Sequence, residues 1–564
     1  MKSLRTVEKQ HLFFGIGMLI FCSVFLWRCT YSINYYDEPY GIAVIWRFFN
    51  GGAILAEDWH PSQQLTAWIL YPLYWLLHTF LGGNEGIILG FRVSYVIVQA
   101  LITIYCYIRL KEYKYYGIMA VLLFMFSTHN NMTTINYNTV GIGCLMILLT
   151  TLFTEKKFSK KTLFACGVLV AIIVLAQPYS ILLFLIWGVL VCLWTLFARK
   201  KNVSKLLEIR TFFYTALGAA FMLLLFLILL FSRATLDEII TGIYYNLNDP
   251  EHAMDLSYKI SKYFERFYRY YKYQVLLMFA SAFVGFIRKE KYSNIFRAEC
   301  FLLATAAFVY YMISLGWISD YVPIDFISVP MTFYGLTIFA LTRKKNWKLF
   351  GVWVVPALMY TFCVQLATDT GILAVSAATI VASSGGMLMA ADGTIAEKPY
   401  VSIFIYKFFI VAIVTLNILQ AALFLYQRIS YTWWSCSIQE CTDVVKTGPA
   451  KGIRTSKEDL TEYENTLKEI DSLNLTKEDQ LLVLEHATWL YLYADVPVAT
   501  YSFWNVGEEN YLDEYYMLHS DKKPTVVYIY DIENVHEKKY VQQFLESGYQ
   551  VSEFESGNII LTKK

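Results

Sequence analysis

Charge is what this chain has least of. Only 16% of its 564 residues are Asp, Glu, Lys or Arg, against about a quarter in soluble domains. With 57% hydrophobic residues and a mean hydropathy of +0.43, this excludes both a disordered chain and an ordinary soluble globule. Glycine (29) and proline (12) are scarce. Few glycines beside 17% aromatics argue against a channel packed on Gly and Ala. No glycine-rich phosphate loop is present, so nucleotide binding has no support. The ten cysteines include no CxxC and no Cys/His cluster of zinc spacing. Eight lie in or beside apolar segments; Cys436 and Cys441 follow the last one and leave a disulfide open.

Apolar runs near bilayer length recur through the first ~430 residues, which makes this a polytopic α-helical membrane protein. We expect about thirteen spans, over 11–29, 91–108, 116–129, 136–153, 162–176, 180–197, 211–232, 274–287, 297–314, 322–341, 347–368, 371–392 and 402–426. The 371–392 segment, rich in Ser, Gly and Ala, either spans or re-enters, and that choice sets the side of the C-terminus. Basic clusters at Arg109/Lys111/Lys114, Lys156–Lys161, Arg199–Lys205, Arg288–Lys291 and Arg343–Lys348 mark the cytoplasmic side. They agree only if 64–81, with Pro72 and His78, lies on the membrane face. Residues 31–90 then form one external loop with helices in the interface plane, and 233–273 is a second external loop.

The small net charge of +2 conceals an asymmetry. From Tyr431 to Lys564 there are 23 acidic and 12 basic residues, a net of −11, and the rest carries +13. A basic membrane domain, 1–430, is therefore joined to an acidic soluble domain, 431–564, expected outside the cell. The basic residues are spread over short loops, so they report topology and not nucleic-acid binding. In the tail, Ser456 can cap a helix running to about Leu473. A second helix is expected near Thr476, a strand at 525–530, a helix near 535–547, and strands near 549–553 and 557–562: a small α/β domain.

The best candidate site is Tyr35-Tyr-Asp-Glu-Pro-Tyr40. Two adjacent carboxylates, Asp37 and Glu38, sit at the outer membrane edge among aromatics, where ionisable groups are costly and point to function. The plain alternative is that Asp37 caps a helix beginning at Pro39. Then follow Glu57-Asp58-Trp59-His60-Pro61-Ser62-Gln63, Tyr71-Pro72-Leu73-Tyr74, Gly82-Gly83-Asn84-Glu85 and Phe91-Arg92. This order resembles the GT-C superfamily of integral-membrane glycosyltransferases, nearest in pattern to protein O-mannosyltransferases and the lipid A aminoarabinose transferase type. The match covers 31–110, with an acidic pair after the first helix, an amphipathic helix (Pro39 to about Leu55), a DW-x-P stretch, a P-L-Y helix and an Arg opening the next helix.

The resemblance implies an enzyme that moves a sugar from a polyprenyl-phosphate donor to a glycan, lipid or protein acceptor on the outer face of the plasma membrane. Asp37 would be the general base and Glu38 its neighbour. Arg92 would hold the donor phosphate or organise the loop, unless it is only a snorkelling helix-end arginine. Asp58, His60, Gln63 and Tyr74 are candidates for acceptor or sugar. So are Asp320 and Asp369, which could alternatively supply a metal ligand. Lys259, Lys262 and Arg266 recur at 3–4-residue spacing, one helical face that suits a lipid phosphate or anionic headgroups generally. Related enzymes carry a second acid in the next loop, where a divalent metal binds. Here 127–138 has His129, Asn136 and Asn138 but no carboxylate, so the metal is left open. Gln177-Pro178 matches a Q-P break of the family or is a simple turn. A flippase or transporter of a lipid-linked glycan is the alternative, though no internal repeat is visible. Pro-poor, Lys/Asn/Ile/Tyr-rich usage points to a low-GC bacterium.

Overall fold

A computed structural model describes residues 2–35, 37–59, 62–128, 131–197, 205–248, 255–286, 328–342, 344–366, 378–397, 403–432, 436–484, 487–504, 506, 511–530 and 535–563. Most of these residues are helical. Lys2–Cys29 (α1) leads to Asp37–Phe49 (α2), Thr66–Leu81 (α3), Ile87–Leu110 (α4), Lys114–Phe126 (α5), Tyr137–Thr154 (α6), Lys160–Ala176 (α7), Ile181–Phe197 (α8) and Ile209–Phe231 (α9). Leu236–Leu247 (α10), Leu256–Phe286 (α11), Ser328–Leu341 (α12), Trp347–Gln365 (α13), Thr379–Glu397 (α14) and Ile403–Ser430 (α15) follow. Six stretches are long and apolar enough to cross a membrane, among them Ile87–Phe126, which contains both α4 and α5. This is a multi-pass membrane protein. Twelve of the thirteen expected spans fall on described helices; 297–314 lies outside the described residues.

One expectation changes, and two segments gain detail. The amphipathic helix of the first loop begins at Asp37, not Pro39, and stops at Phe49, where Gly51 (φ +97°) turns the chain. Asp37 and Glu38 therefore sit in its first turn, where the helix dipole favours negative charge. Much of 233–273 is helical, as α10 and the start of α11. Thr235 caps α10 in a reciprocal box with Glu238. The Ser/Gly/Ala-rich segment, described from 378 on, begins its helix at Thr379 and serves close packing. A Cβ on Gly335 of α12 would meet the Gly386 carbonyl of α14 at 2.2 Å, so small residues let these backbones touch.

The tail builds a two-stranded ribbon (β1, Asp443–Val444; β2, Arg454–Thr455) and a helix, Lys457–Ser472 (α16), capped by Ser456. A four-stranded sheet follows in the order β3-β4-β6-β5, from Leu481–Leu484 (β3), Val526–Ile529 (β4), Tyr549–Glu553 (β5) and Ile559–Lys563 (β6). β3 runs parallel to β4, and the other pairings are antiparallel. Helices Trp489–Ala494 (α17), Tyr511–Leu518 (α18) and Val535–Glu546 (α19) complete it. The helix expected near Thr476 is replaced by β3. Leu481-Leu-Val-Leu484 is buried throughout, and a short run apolar on both faces has no periodicity to separate strand from helix.

Candidate active site

The site is organised where α1 stops. Ser32 takes a left-handed conformation (φ +68°), a strained choice for a residue with a Cβ. The turn aims carbonyls inward, and Arg92 of α4 meets them. Its guanidinium donates to the oxygens of Cys29 (2.9 Å), Tyr31 (3.0 Å) and Ser32 (2.9 Å). Its remaining two N–H groups form a fork on Glu38, Nε to Oε1 at 2.8 Å and Nη2 to Oε2 at 2.5 Å. All five donors of Arg92 are thus engaged inside the chain. Arg92 is 4% exposed and Glu38 3%. No N–H is left over for a phosphate in this arrangement. The contacts Arg92 makes here are all with the first loop and the turn before it.

Asp37 differs from its neighbour. It stays partly exposed while Glu38 is buried. It is close enough to Tyr137 of α6 for its charge to act on the phenol, which brings the first loop against the 127–138 loop. In that loop Asn136 caps α6, its Oδ1 accepting from Thr139 N at 3.1 Å. Asn138 Oδ1 accepts from Gln177 Nε2 at 2.6 Å. Both amide oxygens are therefore occupied, His129 lies outside the described residues, and no group of three His, Cys, Asp or Glu able to hold a metal occurs among the described residues. Among the described residues no divalent-metal centre is formed, and no step below runs through one.

Sequence reading missed two arginines beside this turn. Arg28 donates to Tyr31 O at 2.7 Å, and Arg428 of α15 to Asn131 Oδ1 at 2.6 Å. Both are buried and within electrostatic range of each other and of Arg92. Their positions at helix ends hide them, because an arginine there reads as a topology marker.

The rest of the first loop is fastened to the tail. Arg47 of α2 bonds Asp58 Oδ1 (2.9 Å), Glu57 Oε2 (3.3 Å), Thr500 O (2.8 Å) and the Tyr515 hydroxyl (2.8 Å). Burial pushes the Asp58 carboxyl up to about 6, against the pull of Arg47. Burial also acts on Glu57, but Arg47 and Lys522 outweigh it and hold Glu57 below its ordinary range. Trp59 inserts into the tail's own core, stacked on Tyr245 at 4.1 Å and edge-on to Tyr515 at 5.2 Å. Tyr74 donates to Asn84 Oδ1, and Asn84 Nδ2 donates to Leu492 O at 2.8 Å. Glu85 pairs with Lys451 at 2.6 Å. Tyr35 donates to Asp459 O at 2.9 Å, and Arg454 N bonds Thr30 O at 2.6 Å. Asp58 and Tyr74, expected to hold acceptor or sugar, are both buried, with Arg47 and Asn84 as their partners.

Of the other expected residues, Lys259 and Lys262 have described side chains. Lys259 Nζ reaches Leu366 O at 3.4 Å, at the end of α13, and Lys262 pairs with Glu265 on its own helix. The side chains of Arg266 and Gln63, and all of His60, Asp320 and Asp369, lie outside the described residues.

No family model matches this chain, and no curated protein does. Two solved structures are similar to it in arrangement. One is a crystal structure of ArnT from Cupriavidus metallidurans bound to undecaprenyl phosphate, at 10% identity and TM-score 0.42, covering 98% of this chain and 97% of that one. The other is the Archaeoglobus fulgidus oligosaccharyltransferase tethered to an acceptor peptide containing the NVT sequon. It has 10% identity and TM-score 0.44, covering 98% of this chain and 74% of that one.

Proposed function

We propose that this protein is a membrane glycosyltransferase that moves a sugar from a polyprenyl-phosphate donor to an acceptor at the outer face of the membrane, with Asp37 as general base. The observation that carries this is the divergence of two adjacent carboxylates. Glu38 is buried against Arg92, whereas Asp37, one residue earlier in the first turn of α2, remains partly exposed near Tyr137 of α6. Neighbouring acids in unlike environments take unlike roles. In this reading Arg92 and Glu38 are positioning residues: they hold the first turn of α2 so that the Asp37 carboxylate meets an acceptor hydroxyl. Asp37 accepts the hydroxyl proton, the acceptor oxygen attacks the sugar carbon, and the donor phosphate leaves with the bonding pair. The ordered motifs from Asp37 to Arg92 support the same chemistry.

The test is donor turnover by the purified protein in nanodiscs, offered a panel of radiolabelled polyprenyl-phosphate sugars. Wild type should release sugar from one of them, and Asp37→Asn, inserted and folded, should lose at least a hundredfold in rate. Full activity of Asp37→Asn rejects the base assignment. Specific lipid binding with no turnover of any donor favours a flippase.

A further inference from the structure

A polar groove of about 620 Å³ opens on the tail between α16 and the edge of the sheet. One wall is a stripe of α16 at helical spacing, Thr461, Glu462 and Asn465. The other is Tyr530, just past β4, with Ser556 and Asn558 from the β5–β6 turn. Its volume falls within the range of about 300–1,000 Å³ typical of small-ligand sites, but its lining is not apolar.

The walls are rigid. Behind that wall buried Glu469 accepts from the Tyr528 hydroxyl (2.7 Å), Ser556 Oγ (2.5 Å) and Asn558 Nδ2 (3.0 Å), which holds Ser556 and Asn558 in place. Tyr530 donates to Glu462 across the groove, which ties its two walls together at that point. The groove also adjoins the α2 site. Tyr35, two residues before Asp37, donates to the carbonyl of Asp459 in the first turn of α16. Its hydroxyl is pushed up by burial and then by Asp459 and Glu462, so these groups lie close together.

We propose that this groove docks the acceptor, and that the acceptor is an uncharged glycan. This deepens the transferase reading and rests on it. Hydroxyls, amides, carboxylates and one aromatic face match a chain of sugar hydroxyls, because carboxylates form strong charge-assisted bonds with O–H donors. A lipid tail finds no apolar wall here. An anionic polymer meets Glu458 and Glu462 against Lys457 alone, on a tail carrying a net −11.

The experiment uses the full chain in nanodiscs and saturation-transfer NMR. The probes are chitotetraose, mannotetraose, poly(glycerol phosphate) and a Ser/Thr-rich peptide. At least one neutral oligosaccharide should bind wild type and Asp37→Asn alike. The variant Thr461→Arg/Asn465→Arg, at two exposed positions, should keep the wild-type thermal midpoint and bind at least tenfold more weakly. The proposal is overturned if that variant binds glycan as wild type does. It is equally overturned if only the anionic polymer or only the peptide binds, or if no probe binds. Donor turnover separates the two readings: glycan binding that depends on the groove without any donor turnover sinks the transferase and leaves the groove. Turnover with glycan binding indifferent to the groove does the reverse.

Discussion

Replacing Arg92 by Lys is the most informative single change, because the motif reading leaves it two roles, phosphate ligand and loop organiser. A phosphate ligand would tolerate Lys, which keeps the charge. The geometry demands more: Arg92 makes five hydrogen bonds, to three carbonyls and two carboxylate oxygens, and an ammonium has three donors. At least two buried acceptors lose their partner, at about 1–3 kcal/mol each, so Arg92→Lys should cost about 2–6 kcal/mol. Arg92→Met strands Glu38 as a buried unpaired carboxylate and should cost at least as much, about 3–5 kcal/mol for the broken pair alone. Against total stabilities of about 5–15 kcal/mol, either loss is large. The double variant Glu38→Met/Arg92→Met should lie above Arg92→Met, since it removes the stranded charge. The assay is the thermal midpoint in detergent, with donor KM measured on the folded fraction. We expect Arg92→Lys to lower the midpoint and leave donor KM unmoved. A wild-type midpoint with a tenfold higher donor KM refutes the positioning role and restores Arg92 as a phosphate ligand.

Two further predictions concern the fastening of loop to tail. Asp58 has a folded pKa of about 6 against about 4 for a free Asp. Between these values the folded chain holds a proton that the unfolded chain has released, so this group's contribution to stability is present at low pH and falls as pH rises from 4 to 6. The stability of wild type minus that of Asp58→Asn should therefore fall by up to about 3 kcal/mol across that window, read by chemical denaturation at each pH; a flat difference rejects it. Trp59→Ala empties an aromatic slot that is 1% exposed, at about 3–5 kcal/mol. Limited proteolysis should then cut near the tail junction faster than in wild type, and unchanged cleavage would show that the tail is held elsewhere.

The acidic pair after the first helix was legible because two carboxylates among aromatics at a membrane edge have no packing reason to be there. Which of them stays partly exposed was not. Glu38 is distinguished only by Arg92, 54 residues away, and the fork forms because α1, α2 and α4 converge. Asp58 and Tyr74 matched a motif, yet their partners are set by residues about ten positions off and by a tail some 400 positions on.

Composition and hydropathy alone determined a polytopic helical membrane protein with an acidic tail, because a bilayer leaves few choices for apolar runs of that length. Ser456 as a cap and three of the tail's six strands, β4, β5 and β6, followed from local signals. Only the tertiary structure decided that the tail is bolted to the first loop. It also decided that Arg92 is consumed inside the chain, and that Leu481-Leu-Val-Leu484 is a strand. Each of these depends on partners distant in sequence, and period and propensity carry no information about them.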